Sequence, residues 1–315
     1  MTMAVLRAVS LRPYTTLRAG GAAERFAVAG DVEQLARAAA AAHGIGDRLT
    51  VLGWGSNVLP ADAGVPGFVV HNRARRIEVG DDGHVVADTG CGFQELFLKT
   101  AQAGLAGLEF AVGIPGTLGG ALVSNAGAYR SNVSEFLTEL EVVLEGRRMW
   151  TGPEIMHFSY RDSVLRRNEP PALTLLRVRF RLPKGRGKAI YDEAREYQRQ
   201  RISKQPPPAS AGSFFKNVAD PILAMRLPRL PEALKTAGVV PAGFLIQDAE
   251  LAGLRHKGAM FSRRHANFIV NTGGATATAI RELAELGARA VFERYGVRLE
   301  EEVLYIGDWS AYGSS

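Results

Sequence analysis

The sequence predicts a fold of mixed helices and strands with more than one domain, and three observations support this. Helix and strand patterns alternate between residues 15 and 72, as in a small α/β unit. Strand-like segments return at 137–146 and 172–182. Prolines 206–208 stop a polar helix and mark a domain boundary. The chain has 315 residues, of which 46% are hydrophobic, enough for two or three separate cores.

The first α/β unit begins with a helix whose ends are readable. Asp31 and Gln34 fit a capping box, and the alanine-rich run that follows reaches Gly44. Residues 48–53 and 67–72 then read as strands.

A hairpin comes next at residues 76–90, with Asp82–Gly83 at its tip. Residues 93–104 follow as a helix that Gly104 closes. The segment 172–182 predicts a half-buried strand with a basic outer face, because apolar and arginine side chains alternate along it. The apolar set is Leu176, Val178, Phe180 and Leu182, and the basic set is Arg177, Arg179 and Arg181.

The carboxyl-terminal part contains a polar helix at 188–201, an amphipathic helix at 276–296 and a final strand at 299–307. Gly296 is placed to cap the second helix. Its apolar face carries Ile280, Leu283, Ala284 and Val291.

Composition limits the function. The net charge is +6 and the isoelectric point about 9.6. The arginines are scattered, so a small phosphorylated ligand suits the charge better than nucleic acid. Cys91 is the only cysteine and reads as a small apolar filler. The six histidines lack metal-ligand spacing, so we expect no metal site. Without a signal peptide or a membrane-length apolar run, we expect a cytoplasmic protein that binds neither membrane nor nucleic acid.

Three glycine clusters, at 18–21, 53–57 and 113–129, offer backbone amides to an anion. None is a Walker A loop or a GxGxxG between a strand and a helix, so an ATPase and a Rossmann dehydrogenase are both unsupported. The third cluster is the strongest candidate for ligand contact. It contains four glycines within residues 113–120.

Six motifs occur in one order along the chain and together resemble the UDP-N-acetylenolpyruvoylglucosamine reductase family. They are VLGWGSNVL, GLEFAVGIPGTLGGALVSNAGAY, SYRDSVLR, SAGSFFKN, HANFIVN and GVRLEEEVLYIG. The resemblance runs from about residue 16 to residue 307. The short stretch between Arg161 and Pro206 is similar to the compact branch of the family, which lacks an extra substrate-clamp loop.

The resemblance implies an FAD-binding fold of the vanillyl-alcohol-oxidase (PCMH) type in two subdomains, plus an α+β substrate-binding domain. It also implies that FAD is bound non-covalently and that NADPH is the co-substrate. The expected substrate is a UDP-linked enolpyruvyl amino sugar, and the expected oligomeric state is a monomer. The implied limits are 1–72 and 73–202 for the FAD subdomains, 203–298 for the substrate domain, and 299–315 for a strand returning to the FAD domain.

Three catalytic residues carry over by motif. Ser213 matches the family's proton donor, Arg161 its catalytic arginine and Glu302 its glutamate. Spacing alone does not separate Glu302 from Glu300, since alternate residues of a strand share a face. A glutamate helps beside developing negative charge only if it is protonated or acts through water, so we expect a raised pKa for Glu302.

The remaining implied contacts fall into two sets. The cofactor set is Gly53, Trp54, Gly55, Ser56, Asn57, Gly113, Ile114, Pro115, Gly116, Thr117, Gly119, Gly120, Ser124, Asn125 and Gly127. The substrate set is Tyr129, Tyr160, Lys204, Lys216, Asn217 and His265. A structural turn is as good an explanation of His265 and Asn267 as ligand contact.

Two alternatives stay open. A flavin oxidase of the same fold, acting on a sugar or an alcohol, often tethers its flavin through histidine or cysteine. The glycine clusters contain no histidine, and Cys91 is the only thiol. A basic nucleic-acid-binding module predicts salt-sensitive binding and no flavin.

Overall fold

The structure is a computed structural model that describes residues 3–204, 206 and 209–312. The chain divides into two compact units, each made of separate stretches of sequence. Unit 1 contains residues 3–9, 23–54 and 66–203, and unit 2 contains residues 10–22, 55–65 and the described residues from 204 onward. The subdomain limits predicted from the resemblance stay predictions.

Short strands and helices alternate throughout, as an α+β fold requires. The strands are β1 Leu6–Ser10, β2 Ala22–Ala29, β3 Leu49–Leu52, β4 Val58–Pro60, β5 Val65–Asn72, β6 Ile77–Val79, β7 His84–Asp88, β8 Gly127–Ala128, β9 Ser131–Asn132, β10 Leu137–Leu144, β11 Arg147–Thr151, β12 Leu173–Arg181, β13 Val218–Ala219, β14 Val239–Val240, β15 Arg255–His256, β16 Ala259–Phe261, β17 Ile269–Asn271 and β18 Leu304–Ile306. The helices are α1 Val32–Gly44, α2 Phe93–Gln102, α3 Leu118–Val123, α4 Gly187–Lys204, α5 Pro221–Arg226, α6 Glu232–Ala237, α7 Ala242–Asp248 and α8 Ala277–Tyr295.

Unit 1 contains two larger sheets. The first has the strand order β1-β2-β5-β3, with β3 and β5 parallel. The second has the order β11-β10-β12-β7-β6 and is antiparallel throughout. Helix α1 packs its alanine-rich face against Val70 of the first sheet and Val143 and Leu176 of the second. One helix therefore joins the cores of both sheets.

The main core of unit 1 is aromatic. Phe93 and Phe97 of α2, Phe110, and Phe180 of β12 are all at most 2% exposed. Cys91 is fully buried in the same core, which confirms it as an apolar filler. Burial also raises the pKa of its thiol.

The outer face of β12 confirms the predicted half-buried basic strand. Arg177 donates from Nε to Glu141 at 2.6 Å, and Arg179 donates from Nη1 to Glu139 at 2.5 Å. The guanidinium of Arg179 also lies 4.0 Å from the ring centroid of Trp150. These arginines are neutralised within their own sheet, which leaves little free charge there for a polyanion.

Unit 2 is built around α8. Its buried face includes the predicted Ile280, Leu283, Ala284 and Val291, and the helix ends at Gly296 as predicted. The antiparallel sheet β15-β16-β17 and the parallel pair β18-β4 belong to the same unit. The Asp62 carboxylate accepts hydrogen bonds from the amides of Ala277 and Thr278, at 2.9 and 2.8 Å. A carboxylate here offsets the positive end of the helix dipole.

Two local predictions were wrong. Asp31 does cap α1, accepting from the Gln34 amide at 2.8 Å, but the Gln34 side chain bonds the amide of Gly30 instead of that of Asp31. The final strand spans only Leu304–Ile306, because residues 300–302 have left the regular sheet to bond another segment.

Neither a metal cluster nor a spanning helix is found in the described part of the chain. No group of three or more His, Cys, Asp or Glu side chains there is placed to hold a metal ion. Likewise, none of the helices traced through those residues is long and apolar enough to cross a membrane.

Candidate active site

The third glycine cluster forms a tight loop that leads into α3 in unit 1. Thr117 caps this short helix by accepting from the amide of Gly120 at 3.3 Å. The amide of Gly119 donates to the carbonyl of Thr89 at 2.7 Å. A Cβ on Gly119 would lie 3.0 Å from that carbonyl oxygen, closer than nearly all real contacts. Only glycine lets the loop lie this close to the end of β7.

The second glycine cluster meets the third within unit 1. A Cβ on Gly53 would collide with Oγ1 of Thr117 and lie 3.0 Å from its Cγ2. The next residue, Trp54, leaves 52% of its surface exposed. The indole edge of Trp54 lies 3.1 Å from where a Cβ on Gly92 would be. Gly53 and the α3 cap therefore form one continuous backbone surface beside an exposed indole.

Asn125 supplies a buried, unsatisfied acceptor beside that surface. Its backbone is left-handed, with φ of 41°, and it is 8% exposed. The side-chain Nδ2 donates to the carbonyl of Ser159 at 3.0 Å, whereas Oδ1 is buried and meets no donor in the part of the chain described. A buried amide oxygen without a donor is unfavourable by about 1 to 3 kcal/mol. An N–H-bearing ring such as the isoalloxazine of FAD would satisfy this oxygen, so the residues present fit the cofactor.

Helix α4 covers the start of the third cluster. The amide of Gly113 donates to Oε1 of Gln94 at 3.0 Å. A Cβ on Gly113 would lie 3.0 Å from Cδ of Arg201 on α4. From the same helix, the ring of Tyr197 stacks on that of Tyr129, with centroids 3.7 Å apart and planes at 4°.

Arg161 also belongs to unit 1, on a turn in which the amide of Ser159 donates to the carbonyl of Asp162 at 3.2 Å. Its backbone φ is 54°, a strained value for a side chain of this size. The neighbouring Tyr160 is 61% exposed, and its ring centroid lies 6.0 Å from the Arg161 guanidinium. The turn therefore presents an aromatic ring and a cation together.

The segments that carry Ser213 and Glu302 pair with each other in unit 2. The segment after Ser213 runs antiparallel to residues 300–302. The amide of Glu302 donates to the carbonyl of Phe214, and the amide of Lys216 donates to the carbonyl of Glu300, both at 2.8 Å. Phe215 forms an isolated antiparallel bridge with Glu301.

Two asparagines fix this pair of segments. Asn267, 2% exposed, accepts from the Phe215 amide at 3.0 Å and donates to the Phe215 carbonyl at 2.9 Å. Asn57 donates from Nδ2 to the carbonyl of Glu302 at 3.1 Å. His265 bonds within its own turn, since its Nδ1 accepts from the Asn267 amide at 3.3 Å.

The three consecutive glutamates have different surroundings. Glu300 is largely exposed and pairs with Nζ of Lys216 at 2.5 Å. Glu301 is half-buried and accepts from the Tyr305 hydroxyl at 2.6 Å. Burial raises the pKa of the Glu301 carboxyl, and the Tyr305 hydrogen bond opposes the rise only in part. Glu302 is also half-buried, and its expected raised pKa stays a prediction.

The other predicted cofactor contacts lie in or just after the third glycine cluster. The loop before α3 contains Ile114, Pro115 and Gly116. Ser124 donates to the Gly120 carbonyl at 3.2 Å, and Gly127 lies in β8. Gly55 and Ser56 precede Asn57, and Asn217 is exposed after Lys216. Lys204 is the last residue of α4, and its side chain lies outside the described part of the structure.

Sequence reasoning missed Gln94, Tyr197 and Arg201. The last two lie on a helix that reads as polar and solvated, so nothing in its periodicity indicates a buried side. The usable signal was their spacing of four residues, which places a tyrosine and an arginine on one helix face.

Comparisons with known proteins agree with this geometry. A family model for an FAD-binding domain matches residues 23–151. A second, for the C-terminal domain of UDP-N-acetylenolpyruvoylglucosamine reductase, matches residues 202–306. The protein of that name from Rubrobacter xylanophilus is 36% identical over 300 residues, 95% of this chain and 94% of its own. The protein of the same name from Synechococcus sp. is 36% identical over 305 residues, which cover 96% of this chain and 91% of the Synechococcus protein.

A solved structure agrees as well. The UDP-N-acetylenolpyruvylglucosamine reductase of Thermus caldophilus superposes with a TM-score of 0.76 at 34% identity, covering 96% of this chain and 99% of its own. The predicted fold class is thereby confirmed. The protein is a flavin-dependent oxidoreductase built on an FAD-binding α+β fold with a separate carboxyl-terminal domain. Within that class, the chain belongs to the UDP-N-acetylenolpyruvoylglucosamine reductase family.

Proposed function

We propose that this protein uses NADPH and FAD to reduce UDP-N-acetyl-3-O-(1-carboxyvinyl)glucosamine to UDP-N-acetylmuramate, a precursor of peptidoglycan. The observation that carries the proposal is the backbone pairing of the Ser213 segment with Glu302, in which the Glu302 amide donates to the Phe214 carbonyl at 2.8 Å. This pairing holds a hydroxyl-bearing residue and a carboxyl-bearing residue in fixed register on adjacent segments.

Bound FAD would supply the chemistry of hydride transfer between NADPH and the vinyl terminus of the substrate. The two glycine clusters would hold the cofactor, since their backbone surface has no Cβ atoms in the way. Asn125 would use its buried Oδ1 as the acceptor for a donor on the cofactor ring. Trp54, with its exposed indole, would pack against the bound cofactor.

Ser213 would supply the proton. Hydride addition leaves negative charge on the carbon that bears the carboxylate, and such a carbon is a strong base. A positioned hydroxyl can protonate it although serine is a weak acid in water. Phe214 and Phe215, each 1% exposed, anchor the segment in the core of unit 2. The hydroxyl-bearing residue thus follows a rigid backbone instead of a mobile loop.

Arg161 would hold the substrate carboxylate as charge develops on it. A guanidinium is always charged and binds a carboxylate through two parallel hydrogen bonds. Glu302, if protonated, would donate a hydrogen bond to the same developing charge. Its backbone amide donates to the Phe214 carbonyl, and its backbone carbonyl accepts from Asn57, so the segment that carries this side chain is fixed.

Lys204 and Lys216 would neutralise the pyrophosphate of the nucleotide sugar, as lysines commonly do. Tyr129, Tyr160, Asn217 and His265 complete the proposed substrate wall. Lys216 pairs through Nζ with Glu300 at 2.5 Å, which fixes the position of its ammonium group.

An anaerobic half-reaction tests the proposal. The flavin of the purified protein is reduced with NADPH, the excess is removed, and the enolpyruvyl sugar nucleotide is added. Return of the oxidised flavin spectrum with one equivalent supports the reductase. Return only on admitting oxygen would instead favour an oxidase of the same fold. Failure to bind FAD at all would overturn the proposal and revive a binding module explained by the basic charge.

A further inference from the structure

Arg201 is a cation for which the described part of the chain supplies no carboxylate partner. It lies near the end of α4 with its stem against Gly113 of the third glycine cluster. Its Nη2 donates only a long hydrogen bond, 3.4 Å, to the carbonyl of Phe110. Its Nε is buried and has no hydrogen-bond partner among the residues that the structure describes.

Burial has the largest influence on this guanidinium and lowers the pKa of Arg201. Tyr129 acts in the opposite direction, and Arg161 lowers the pKa further. Glu109 and Glu193 influence the pKa of Tyr197, but neither is among the groups that influence Arg201. Within residues 3–204, 206 and 209–312, no carboxylate is among the groups that shift the pKa of Arg201.

Aromatic rings hold the guanidinium where it is. Its central carbon lies 5.7 Å from the ring centroid of Tyr129. The ring of Tyr197 stacks on that of Tyr129, and the Tyr129 hydroxyl donates to the Tyr197 carbonyl at 3.2 Å. Tyr129 and Arg130 both have positive φ, at 55° and 70°. Such strain persists where surrounding structure imposes it, commonly at ligand sites.

Burying a cation without a counter-charge is unfavourable, so buried cations in proteins are usually paired with an anion or lose their proton. Ion-paired arginines elsewhere in this chain, such as Arg177 with Glu141, show the ordinary solution. We propose that Arg201 is the counter-charge for an anionic group that binds over the Gly113 loop, with its unused Nε–H as the donor. The proposal deepens the function proposed above and rests on it, because the anion would belong either to bound FAD or to the proposed substrate.

Two sources could supply the anion, and their shared chemistry is a planar group with delocalised negative charge. One is the pyrimidine edge of the FAD ring, which becomes negative when the ring is reduced. The other is the carboxylate of the enolpyruvyl substrate, shared with Arg161. Both would place an acceptor in the plane of the guanidinium fork.

Sulfite tests the first source without any turnover. Sulfite adds to N5 of oxidised flavin and leaves negative charge on the pyrimidine edge, so a nearby cation stabilises the adduct. The variants Arg201→Gln and Arg201→Met remove the charge, and the second keeps an unbranched stem against Gly113. A neighbouring unit charge changes a proton affinity by one to three pKa units, so the sulfite dissociation constant should rise about tenfold or more in both. Arg201→Lys, which keeps the charge, should restore most of the affinity.

Equilibrium binding to the oxidised protein tests the second source. The enolpyruvyl sugar nucleotide and UDP-N-acetylglucosamine differ by the carboxyvinyl group. If Arg201 binds the carboxylate, Arg201→Gln should weaken the first ligand about tenfold and leave the second unchanged. Arg199→Gln is the matched control, because Arg199 lies on the same helix, is exposed and pairs with Glu196.

Each outcome of these experiments has one interpretation. A loss of sulfite affinity or of substrate affinity in the Arg201 variants, absent from Arg199→Gln, supports the proposal and identifies the source of the anion. If neither quantity changes in Arg201→Gln and Arg201→Met while both still bind FAD, the inference is wrong and the function proposed above is untouched. If the unaltered protein fails to bind FAD, the proposed function itself fails before any variant is compared.

Discussion

The backbone amide of Glu302 donates to the carbonyl of Phe214, and the side chain of Asn57 donates to the carbonyl of Glu302. The Glu302 backbone is therefore held from both sides by residues far away in sequence. The side chain of Glu302 therefore extends from a fixed backbone position, which its proposed role in stabilising a transition state requires.

Replacing Ser213 with alanine should separate the two half-reactions. Flavin reduction by NADPH should stay within about twofold, whereas reoxidation by the enolpyruvyl substrate should slow about 10²- to 10⁴-fold, because general acid catalysis contributes that much. Stopped-flow absorbance measures both rates. Ser210→Ala, in the same segment, is the control and should alter neither. Equal slowing of both half-reactions would argue against Ser213 as the proton donor.

Replacing Gly53 with alanine should weaken FAD binding. The new methyl group would collide with the Thr117 side chain and displace the cap of α3. Overpacking of this kind is unfavourable by about 1 to 3 kcal/mol, so the FAD dissociation constant should rise about tenfold. Flavin fluorescence on titration measures it. Gly44→Ala is the matched control, since nothing lies within 4 Å of a Cβ at that position. If the FAD affinity were unchanged in both variants, the close contact between Gly53 and Thr117 would not be needed for FAD binding.

Replacing Asn267 with alanine should destabilise unit 2. The change leaves the buried amide and carbonyl of Phe215 without their partners. We expect a loss of about 2 to 4 kcal/mol in the free energy of unfolding, measured by urea denaturation. Asn168→Ala, in an exposed loop before β12, should stay within about 0.5 kcal/mol. A loss confined to activity, with stability unchanged, would instead make Asn267 a ligand contact.

Glu301 should make stability depend on pH with a defined sign. Burial raises the pKa of its carboxyl, the Tyr305 hydroxyl and Arg281 oppose the rise, and Glu285 adds to it. The folded state then holds the proton more tightly than the unfolded state does. The stabilisation by this group is therefore complete below the ordinary glutamate pKa and is lost as pH rises through the raised value.

Glu301→Gln cannot ionise and keeps an acceptor for Tyr305. Its free energy of unfolding, relative to that of the unaltered protein, should therefore increase as pH rises through the same window. Urea denaturation across that range measures the difference. Glu293→Gln, on the exposed side of α8, should give a flat difference. A flat or falling difference for Glu301→Gln would reverse the assigned direction of the pKa.

The local elements were predictable because their signals are local. The Asp31 cap, the alternation on β12 and the glycine end of α8 all follow from neighbouring residues. The shortened last strand was not predictable, since residues 300–302 bond to a segment that only the folded chain brings near.

The candidate site divides in the same way. The motifs pointed to Ser213, Arg161 and Glu302, and their roles stay predictions. The buried acceptor of Asn125 and the charge of Arg201 without a carboxylate partner are properties of the tertiary structure. A sequence pattern does not show which polar groups lack a partner in the folded chain.

The interleaving of the two units determines how the gene can be dissected. The matched carboxyl-terminal family region, 202–306, omits residues 10–22 and 55–65, which belong to the same compact unit. Those omitted stretches supply Leu17 and Leu59 to its core and Asp62 to the start of α8. A recombinant fragment cut at the proline run would therefore lack part of its own interior. Complementation between co-expressed halves, or a synthetic fusion that restores the two missing stretches, is the form in which this unit could be isolated.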